Sequence, residues 1–256
     1  AEHRLVNDLQ ARTLHPIPDV AGFDIAALYQ PAAAELGMGG DWFEVMELDD
    51  DRVGLIVGDV VGHGVEAAGE MSQISGVMAT LLRVGTPIDQ LFARVQEALL
   101  IAQPRFMATA AVAVVDRRSG HVRYVSAGHP VPLVAASDGS VTALDGGRQP
   151  VIGMPPSRVV PGVIQLARGS TLFAYTDGLI ERRGEDLSDG LDRLQAIVGA
   201  GAAGVALASA LVGPGRLCEV VLVSQALGRG PAFSSSDEVL LLNTPAGAMS
   251  IDAGAP

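Results

Sequence analysis

The sequence predicts an α+β fold built from antiparallel sheets. Strand patterns occur in blocks, and helical patterns cluster between these blocks instead of alternating with single strands. Three consecutive aspartates at 49–51 separate two strand patterns and indicate a hairpin tip, and no internal repeat is evident. With 256 residues, 48% of them hydrophobic, the chain can form one large domain or two small ones with a sizeable core.

The strands are placed by short runs of apolar and β-branched residues. In the segment 52–57, Val53, Leu55 and Val57 alternate with Gly54 and Ile56, which is a strong strand signal. Segment 146–161 is rich in glycine and proline and is predicted to be a loop. Strands are predicted at 23–30, 42–48, 52–58, 107–115, 121–126, 131–136, 171–176 and 239–243.

The helices are placed by apolar residues that recur at helical spacing. They are predicted at 2–14, 65–84, 87–102, 187–198 and 216–227, with a weak helix ending at 212. Pro87 suits the first turn of its helix. The helix at 2–14 is either a packing helix or the end of a linker from an upstream sensor domain. The predicted organisation is a linker helix at 1–15, one domain at 16–244, and a flexible tail at 245–256.

Composition excludes several classes of function. The formal net charge is −12 and the sequence has no run of basic residues, so the chain lacks the basic clusters of nucleic-acid-binding proteins. All 17 basic residues are arginine. Without lysine it also lacks a P-loop and a protein-kinase site. One cysteine, Cys218, lies in the predicted helix at 216–227, which excludes a disulfide framework and favours a reducing, cytoplasmic compartment.

No membrane insertion is expected. The longest apolar stretches, 107–115 and 205–212, are too short to span a bilayer, and no signal peptide is visible. The chain starts at Ala1 without methionine, so we expect it to be a piece of a longer protein.

Four aspartates recur in one setting, at the start or end of a predicted strand and beside glycine or other small residues. They are Asp41, Asp59, Asp177 and Asp237. Carboxylates brought together in a partly buried site need compensating charge, and oxygen-only ligands select magnesium, manganese or calcium. Two such ions can activate a water and neutralise a phosphoryl group, so phosphoester hydrolysis is the natural reaction. Spacing alone leaves open the alternative of four unrelated turn residues.

Five motifs in a fixed order resemble one enzyme family. The motifs are Gly39-Gly40-Asp41-Trp42-Phe43, Gly58-Asp59-Val60-Val61-Gly62-His63-Gly64, Ala127-Gly128-His129-Pro130, Tyr175-Thr176-Asp177-Gly178-Leu179 and Asp237-Glu238-Val239. Together they resemble the SpoIIE/RsbU-like branch of the PPM (metal-dependent, type 2C-like) serine/threonine phosphatases, over about residues 15–243. The resemblance implies an α-β-β-α sandwich, two antiparallel sheets flanked by helices, with two Mn²⁺ or Mg²⁺ ions between the sheets.

The resemblance also implies a role for each acid. Asp59 would bridge both ions. Asp41 and the carbonyl of Val60 would hold one ion, and Asp177 and Asp237 would hold the other. A water activated by the metals would attack phosphorus in line, without a covalent phosphoenzyme.

Two histidines lie within the motifs. His63 matches a histidine proposed in related phosphatases as general acid for the leaving seryl oxygen, which suits a group that titrates near neutral pH. The alternative is a loop histidine that fixes its turn by hydrogen bonds. His129 has no chemical role in the resemblance and is interpreted as structural.

The chain departs from the family pattern at two places. Glu238 stands where the family usually has a second aspartate, and residues 31–40 contain no arginine that could grip phosphate. Phosphate binding would then depend on the metals, and weak intrinsic activity is expected.

The function that the resemblance implies is dephosphorylation of a phosphoserine or phosphothreonine protein, a STAS-type anti-anti-sigma factor in a bacterial partner-switching pathway. An upstream sensor would control activity through the helix at 2–14, which could also form a homodimer contact, and the helix pair at 65–102 is either a switch or a rigid packing element. The alternative is a catalytically weak scaffold of the same fold. A two-metal nuclease or small-molecule phosphatase is disfavoured by the acidic composition and by the motifs.

Overall fold

The computed structural model of the chain describes residues 17–21, 23–30, 40–100, 106–182, 184–199 and 218–225. For residues 24, 28–30, 100 and 218–225 the description is limited to the backbone. The predicted helix at 2–14, the weak helix ending at 212, the strand at 239–243 and the tail at 245–256 lie outside these ranges and stay predictions.

The described strands form two sheets. They are β1 Phe23–Gln30, β2 Asp41–Glu47, β3 Arg52–Val60, β4 Ala108–Asp116, β5 His121–Ala127, β6 Leu133–Ala135, β7 Val141–Ala143, β8 Arg148–Gln149, β9 Gly162–Gln165, β10 Thr171–Tyr175 and β11 Cys218–Gln225. One sheet has the order β1-β11-β10-β6-β7 and the other β2-β3-β4-β5-β8, with β9 also paired to β5. Neighbouring strands are antiparallel except β5 and β8. The predicted antiparallel α+β class is confirmed.

Helices cover the outer faces of both sheets. They are α1 Val65–Arg83, α2 Leu91–Leu100 and α3 Leu187–Gly199. Along β3, Leu55 and Val57 face the apolar core between the sheets, whereas Ile56 and Val60 face the core beneath α1 and α2. A third apolar cluster packs α3 on the outside of the other sheet. These layers form the α-β-β-α sandwich that the resemblance implies.

The β2–β3 hairpin positions two of the predicted acids. Its tip is the aspartate triplet, where the Arg52 guanidinium donates a hydrogen bond to the Asp49 carboxylate over 2.7 Å. The hairpin register pairs Asp41 with Asp59. The third strand extends to Val60, two residues further than predicted, so Asp59 lies within a strand rather than after it.

The helix α1 lies directly over this hairpin. Buried residues Met71, Ile74 and Met78 form its inner face. The Ser75 hydroxyl also donates a hydrogen bond to the buried Glu44 carboxylate, over 2.9 Å, which joins α1 to β2.

Three of the predicted helices are present, and one of them begins later than predicted. The first helix of the pair is confirmed, but the second begins at Leu91, because Pro87 lies in a separate turn whose carbonyl accepts from the Gln90 N–H over 2.9 Å. The helix predicted at 187–198 is confirmed, with Leu194 and Val198 buried, although Leu187 is exposed. None of the described helices combines the length and hydropathy needed to span a bilayer.

The helix predicted at 216–227 is wrong. Its residues Cys218–Gln225 form β11, an interior strand that lies between β1 and β10. The segment contains the continuous run Val220-Val221-Leu222-Val223, and a short apolar run of this kind suits a strand buried on both faces.

The short strands β7, β8 and β9 are missing from the predictions. Strand β8 lies inside the segment predicted as a loop, and Val141–Ala143 and Gly162–Gln165 pair at the sides of the two sheets. These strands are brief and partly exposed, so they lack the apolar runs that identify the central strands.

Candidate metal centre

Three of the four predicted acids meet at one end of the sandwich. Asp41 begins β2, Asp59 lies near the end of β3, and Asp177 follows β10 in a 3-10 turn, Asp177–Leu179. Carboxylate oxygens of the three residues lie within 4.8 Å of one another. We call these residues the carboxylate cluster. Because each sheet contributes to it, the cluster exists only when the sheets are packed together.

The surroundings of the cluster raise the pKa of each carboxyl group. Burial is the largest cause in all three cases, and it raises the pKa of Asp59 to about 6 and that of Asp41 well above its usual value. The pKa of Asp177 is also raised. The negative charges of neighbouring acids add to the effect: Asp59 acts on Asp41, and Asp177 acts on Asp59. A divalent cation would relieve this repulsion, so the donor set fits a hard metal ion.

A glycine allows a main-chain oxygen to lie beside the cluster. The Val60 N–H donates to the Gly40 carbonyl over 3.1 Å, which closes the end of the hairpin. A Cβ atom on Gly40 would overlap the Val60 carbonyl oxygen and would lie 2.9 Å from a carboxylate oxygen of Asp59. The close approach requires glycine at this position, and it leaves the Val60 carbonyl next to the acid that the resemblance assigns as bridging ligand.

Residue Thr176 is a site residue that the sequence reasoning missed. Its hydroxyl donates a hydrogen bond to the Asp41 carboxylate over 3.1 Å, and so joins the two sheets at the cluster. This bond holds one oxygen of Asp41 in a fixed position. The only signal in the sequence is its place before Asp177.

The predicted general acid, His63, lies outside the cluster. It is exposed, in a loop where the φ angles of Gly62 and Gly64 are 120° and 91°, values that favour glycine. It makes no side-chain hydrogen bond to any residue of the described ranges, so the alternative of a hydrogen-bonded turn histidine finds no support there. It lines a cavity of about 320 Å³ together with Glu66 and Glu70 of α1.

Exposed apolar side chains lie at this cavity and next to it. Val61 is 63% exposed and Met107 is 45% exposed, and both line the cavity beside His63. The Val61 N–H donates to the Met107 carbonyl over 3.1 Å. Val65, at the start of α1, is 72% exposed. We call Val61, Val65 and Met107 the apolar rim.

The fourth predicted ligand, Asp237, lies outside the described residues, so its role stays a prediction. Strand β11 carries another acid near the same end of the sandwich. Tyr175 pairs with Val220, so the antiparallel register sets Glu219 opposite Thr176. The helix predicted at 216–227 would not place Glu219 beside Thr176, whereas strand β11 does.

A family model described as stage II sporulation protein E (SpoIIE) matches residues 49–218. A second model, described as FAD-NAD(P)-binding, matches residues 196–256, about a quarter of the chain, which is too little to assign a family. Within that second range, Cys218–Gln225 forms a strand of the sandwich.

Several known proteins are similar to the chain. The phosphoserine phosphatase RsbP of Bacillus subtilis is 26% identical over 60% of the chain. The crystal structure of the RsbU and RsbW domains of Rv1364c from Mycobacterium tuberculosis matches with a TM-score of 0.73 and 32% identity, over 83% of this chain and 62% of that one. RsbX in complex with magnesium has the same fold, with a TM-score of 0.64 and 14% identity, over 81% of this chain and 98% of that one.

The curated relatives are much longer than the matched region. The match spans 39% of RsbP and 30% of IcfG from Synechocystis, which is 25% identical over 65% of the chain. The SpoIIE model nevertheless covers more than half of the present sequence, including Asp59 and Asp177. The chain therefore belongs to the SpoIIE family, the RsbU- and SpoIIE-like branch of the metal-dependent PP2C-type protein phosphatases.

Proposed function

We propose that the chain is a metal-dependent phosphatase that hydrolyses phosphoserine or phosphothreonine in a regulatory protein. The observation that carries the proposal is the carboxylate cluster, in which both sheets bring acids within 4.8 Å of one another. Acids held this closely and partly buried are unfavourable without a cation.

The acids of the cluster would hold divalent cations together with the Val60 carbonyl. We propose that Asp41 and the Val60 carbonyl would hold one ion, that Asp177 would hold the other, and that Asp59 would serve both. Bound Mn²⁺ or Mg²⁺ would supply an activated water and would neutralise the charge of the phosphoryl group. The chain itself orients the ligands, through the Thr176 hydroxyl on Asp41 and the close contact of Gly40 with Val60.

We propose two candidates for the fourth acid. Family resemblance favours Asp237, and the strand register favours Glu219, which lies opposite Thr176. The variants Asp237→Asn and Glu219→Gln separate them, because loss of a direct ligand lowers Mn²⁺ affinity measured by calorimetry whereas loss of a distant acid does not. An equal, small effect of both variants would exclude both residues.

The role of His63 as general acid stays a proposal. Its exposed position beside the cavity suits a group that meets the leaving seryl oxygen of a bound substrate. If it donates that proton, His63→Ala should lower kcat for a phosphoserine protein while leaving Mn²⁺ affinity unchanged. It should lower kcat less for an aryl phosphate, whose leaving group needs no proton.

The apolar rim favours a protein substrate. Exposed apolar side chains next to a reaction site indicate a contact surface, and Glu66 and Glu70 add negative charge on the same side.

We propose a phosphorylated STAS-type protein as substrate, and a cytoplasmic partner-switching pathway as setting, on the strength of the RsbP and RsbU likeness. The same proposal includes an upstream sensor, a homodimer contact through the helix at 2–14, and a switch in α1 and α2. The Ser75–Glu44 hydrogen bond supports the switch, because it links α1 to the strand that carries Asp41.

The test is phosphate release from a phosphoserine STAS protein, with and without Mn²⁺. We expect Mn²⁺-dependent release that Asp59→Asn abolishes and that Asp145→Asn, an exposed loop variant, leaves intact. Release that persists without metal, or in Asp59→Asn, would overturn the proposal. Tight Mn²⁺ binding without release would favour the scaffold alternative instead.

A further inference from the structure

The buried histidine His129 joins the two sheets next to the carboxylate cluster. It lies between β5 and β6 and is 2% exposed. Its Nδ1 atom is 2.8 Å from the Thr109 hydroxyl of β4, and its Nε2 atom is 3.1 Å from the Tyr175 carbonyl of β10. The Ser126 hydroxyl donates to the His129 carbonyl over 3.0 Å and fixes the turn that carries it.

The direction of these hydrogen bonds fixes the form of the ring. A carbonyl oxygen can only accept, so Nε2 carries a proton and donates it to Tyr175. Burial lowers the pKa of His129 to about 3, which keeps the ring neutral. The Nδ1 atom is then an acceptor for the Thr109 hydroxyl. The ring thus makes one hydrogen bond to each sheet.

Both partners of the ring are next to acids of the cluster. Thr109 is the cross-strand partner of Asp59. Tyr175 is followed by Thr176, whose hydroxyl donates a hydrogen bond to Asp41, and Thr176 is followed by Asp177. The bonds therefore form a path from β3 through β4, the imidazole and β10 back to β2.

This path differs in kind from the rest of the contact between the sheets. The core between them is a cluster of apolar side chains such as Leu55, Val57 and Leu172, whose packing has no preferred direction. Hydrogen bonds depend on distance and angle, so two of them at one ring define the separation and offset of the sheets at that point.

We propose that His129 is a positioning residue, whose Nε2–H imidazole sets the spacing of the two sheets at the carboxylate cluster and so sets the affinity for divalent metal. The inference rests on the proposed function. It adds a residue whose ring is hydrogen-bonded to Thr109 and Tyr175, not to a proposed metal ligand, and which acts through these two partners.

The experiment compares two variants of His129 by Mn²⁺ titration calorimetry. Glutamine offers an amide oxygen and an amide N–H that can replace both bonds, whereas leucine fills space without either. We expect His129→Gln to keep Mn²⁺ affinity within about threefold, and His129→Leu to lower it about tenfold or more, the range found for residues that orient metal ligands. The Mn²⁺ affinity of Thr109→Val, which removes one bond, should lie between those of the two His129 variants. Combining Thr109→Val with His129→Leu should not lower the affinity below that of His129→Leu alone.

The control for lost stability is Val115→Ala. Val115 is buried at the opposite end of β4 from Thr109 and touches neither the ring nor the acids. We expect this variant to be less stable with unchanged Mn²⁺ affinity. If His129→Leu behaves like Val115→Ala, or if His129→Gln is as weak as His129→Leu, the positioning role is wrong.

A readout without metal separates this inference from the proposed function. Amide hydrogen exchange of the metal-free protein should be faster at 108–110 and 175–178 in His129→Leu than in Val115→Ala. If the wild-type chain binds no Mn²⁺, the proposed function fails, and this local difference in exchange still supports the positioning role. Equal exchange in the two variants would overturn it.

Discussion

At the scale of single residues, the cluster places charge where the fold does not favour it. Burial and neighbouring charge raise the pKa of Asp59 to about 6. A carboxyl group with a raised pKa binds its proton more tightly in the folded chain than in the unfolded chain. It therefore stabilises the fold below its unfolded pKa of about 4, and this stabilisation is lost as pH rises through about 6.

The first prediction follows for the metal-free protein. Between about pH 4 and 6, wild type should lose thermal stability relative to Asp59→Asn, which has no such group to titrate. The measurement is Tm against pH in the presence of a chelator. Parallel curves for the two proteins would show that Asp59 ionises as freely in the fold as in the unfolded chain.

The second prediction concerns the close contact at Gly40. Gly40→Ala should lower Mn²⁺ affinity about tenfold or more, because the added methyl group displaces the Val60 carbonyl and Asp59. Gly69→Ala is the matched control: it lies in α1 with no atom near its would-be Cβ, and should raise stability by about 0.4–1 kcal/mol. Calorimetry and urea unfolding measure the two effects. Unchanged metal affinity in Gly40→Ala would show that the Val60 carbonyl is not a metal ligand.

At the scale of elements, β11 has the largest consequence for the fold. A central strand uses its N–H groups toward both neighbours, and proline removes one of these donors. We expect Leu222→Pro to abolish cooperative unfolding, as followed by circular dichroism, and Leu241→Pro, in the predicted strand at 239–243, to be milder. The reverse order would mean that the segment 239–243, not β11, occupies the interior position between β1 and β10.

The elements differ in how well the sequence reveals them. Strand β3 is predicted almost to its ends, because one face lies on the inter-sheet core and the other on the helices, and both demand apolar residues. The run 220–223 has no alternation, so length and composition could not separate a buried strand from a helix. Pro87 suits a helix start by local rules, yet it forms a turn of its own before Leu91.

The candidate site could also be predicted only in part from local sequence patterns. Its three acids could be found because glycine and strand ends mark them in the sequence. The contacts that orient them join residues far apart, such as Thr176 with Asp41, 135 positions away, and His129 with Tyr175, 46 positions away. Local patterns carry no information about such pairs, so the family resemblance supplied roles for the ligands but none for these supporting residues.

At the scale of the whole molecule, folding and metal binding should be linked. The proposed ligands come together only in the packed sandwich, so a cation should bind the folded state alone and stabilise it by mass action. At a free Mn²⁺ concentration one hundred times Kd, we expect about 2.7 kcal/mol of added stability. The measurement is Tm or urea unfolding across a Mn²⁺ titration. Asp177→Asn should reduce the gain and Asp145→Asn should keep it, and an equal gain in all three proteins would indicate binding elsewhere.

The division of the acids between the sheets also has a mechanical consequence. Asp41 and Asp59 belong to one sheet and Asp177 follows a strand of the other, so a bound cation would cross-link two layers that otherwise meet mainly through apolar contacts, with the hydrogen bonds of Thr176 and His129 near the same end. Apolar contacts re-form readily when one layer slides over the other, whereas a coordination bond must break. A force that shears β2 past β10 would meet its main resistance at this one end. Under this force, the two sheets of the metal-bound sandwich would separate first at the end opposite the carboxylate cluster.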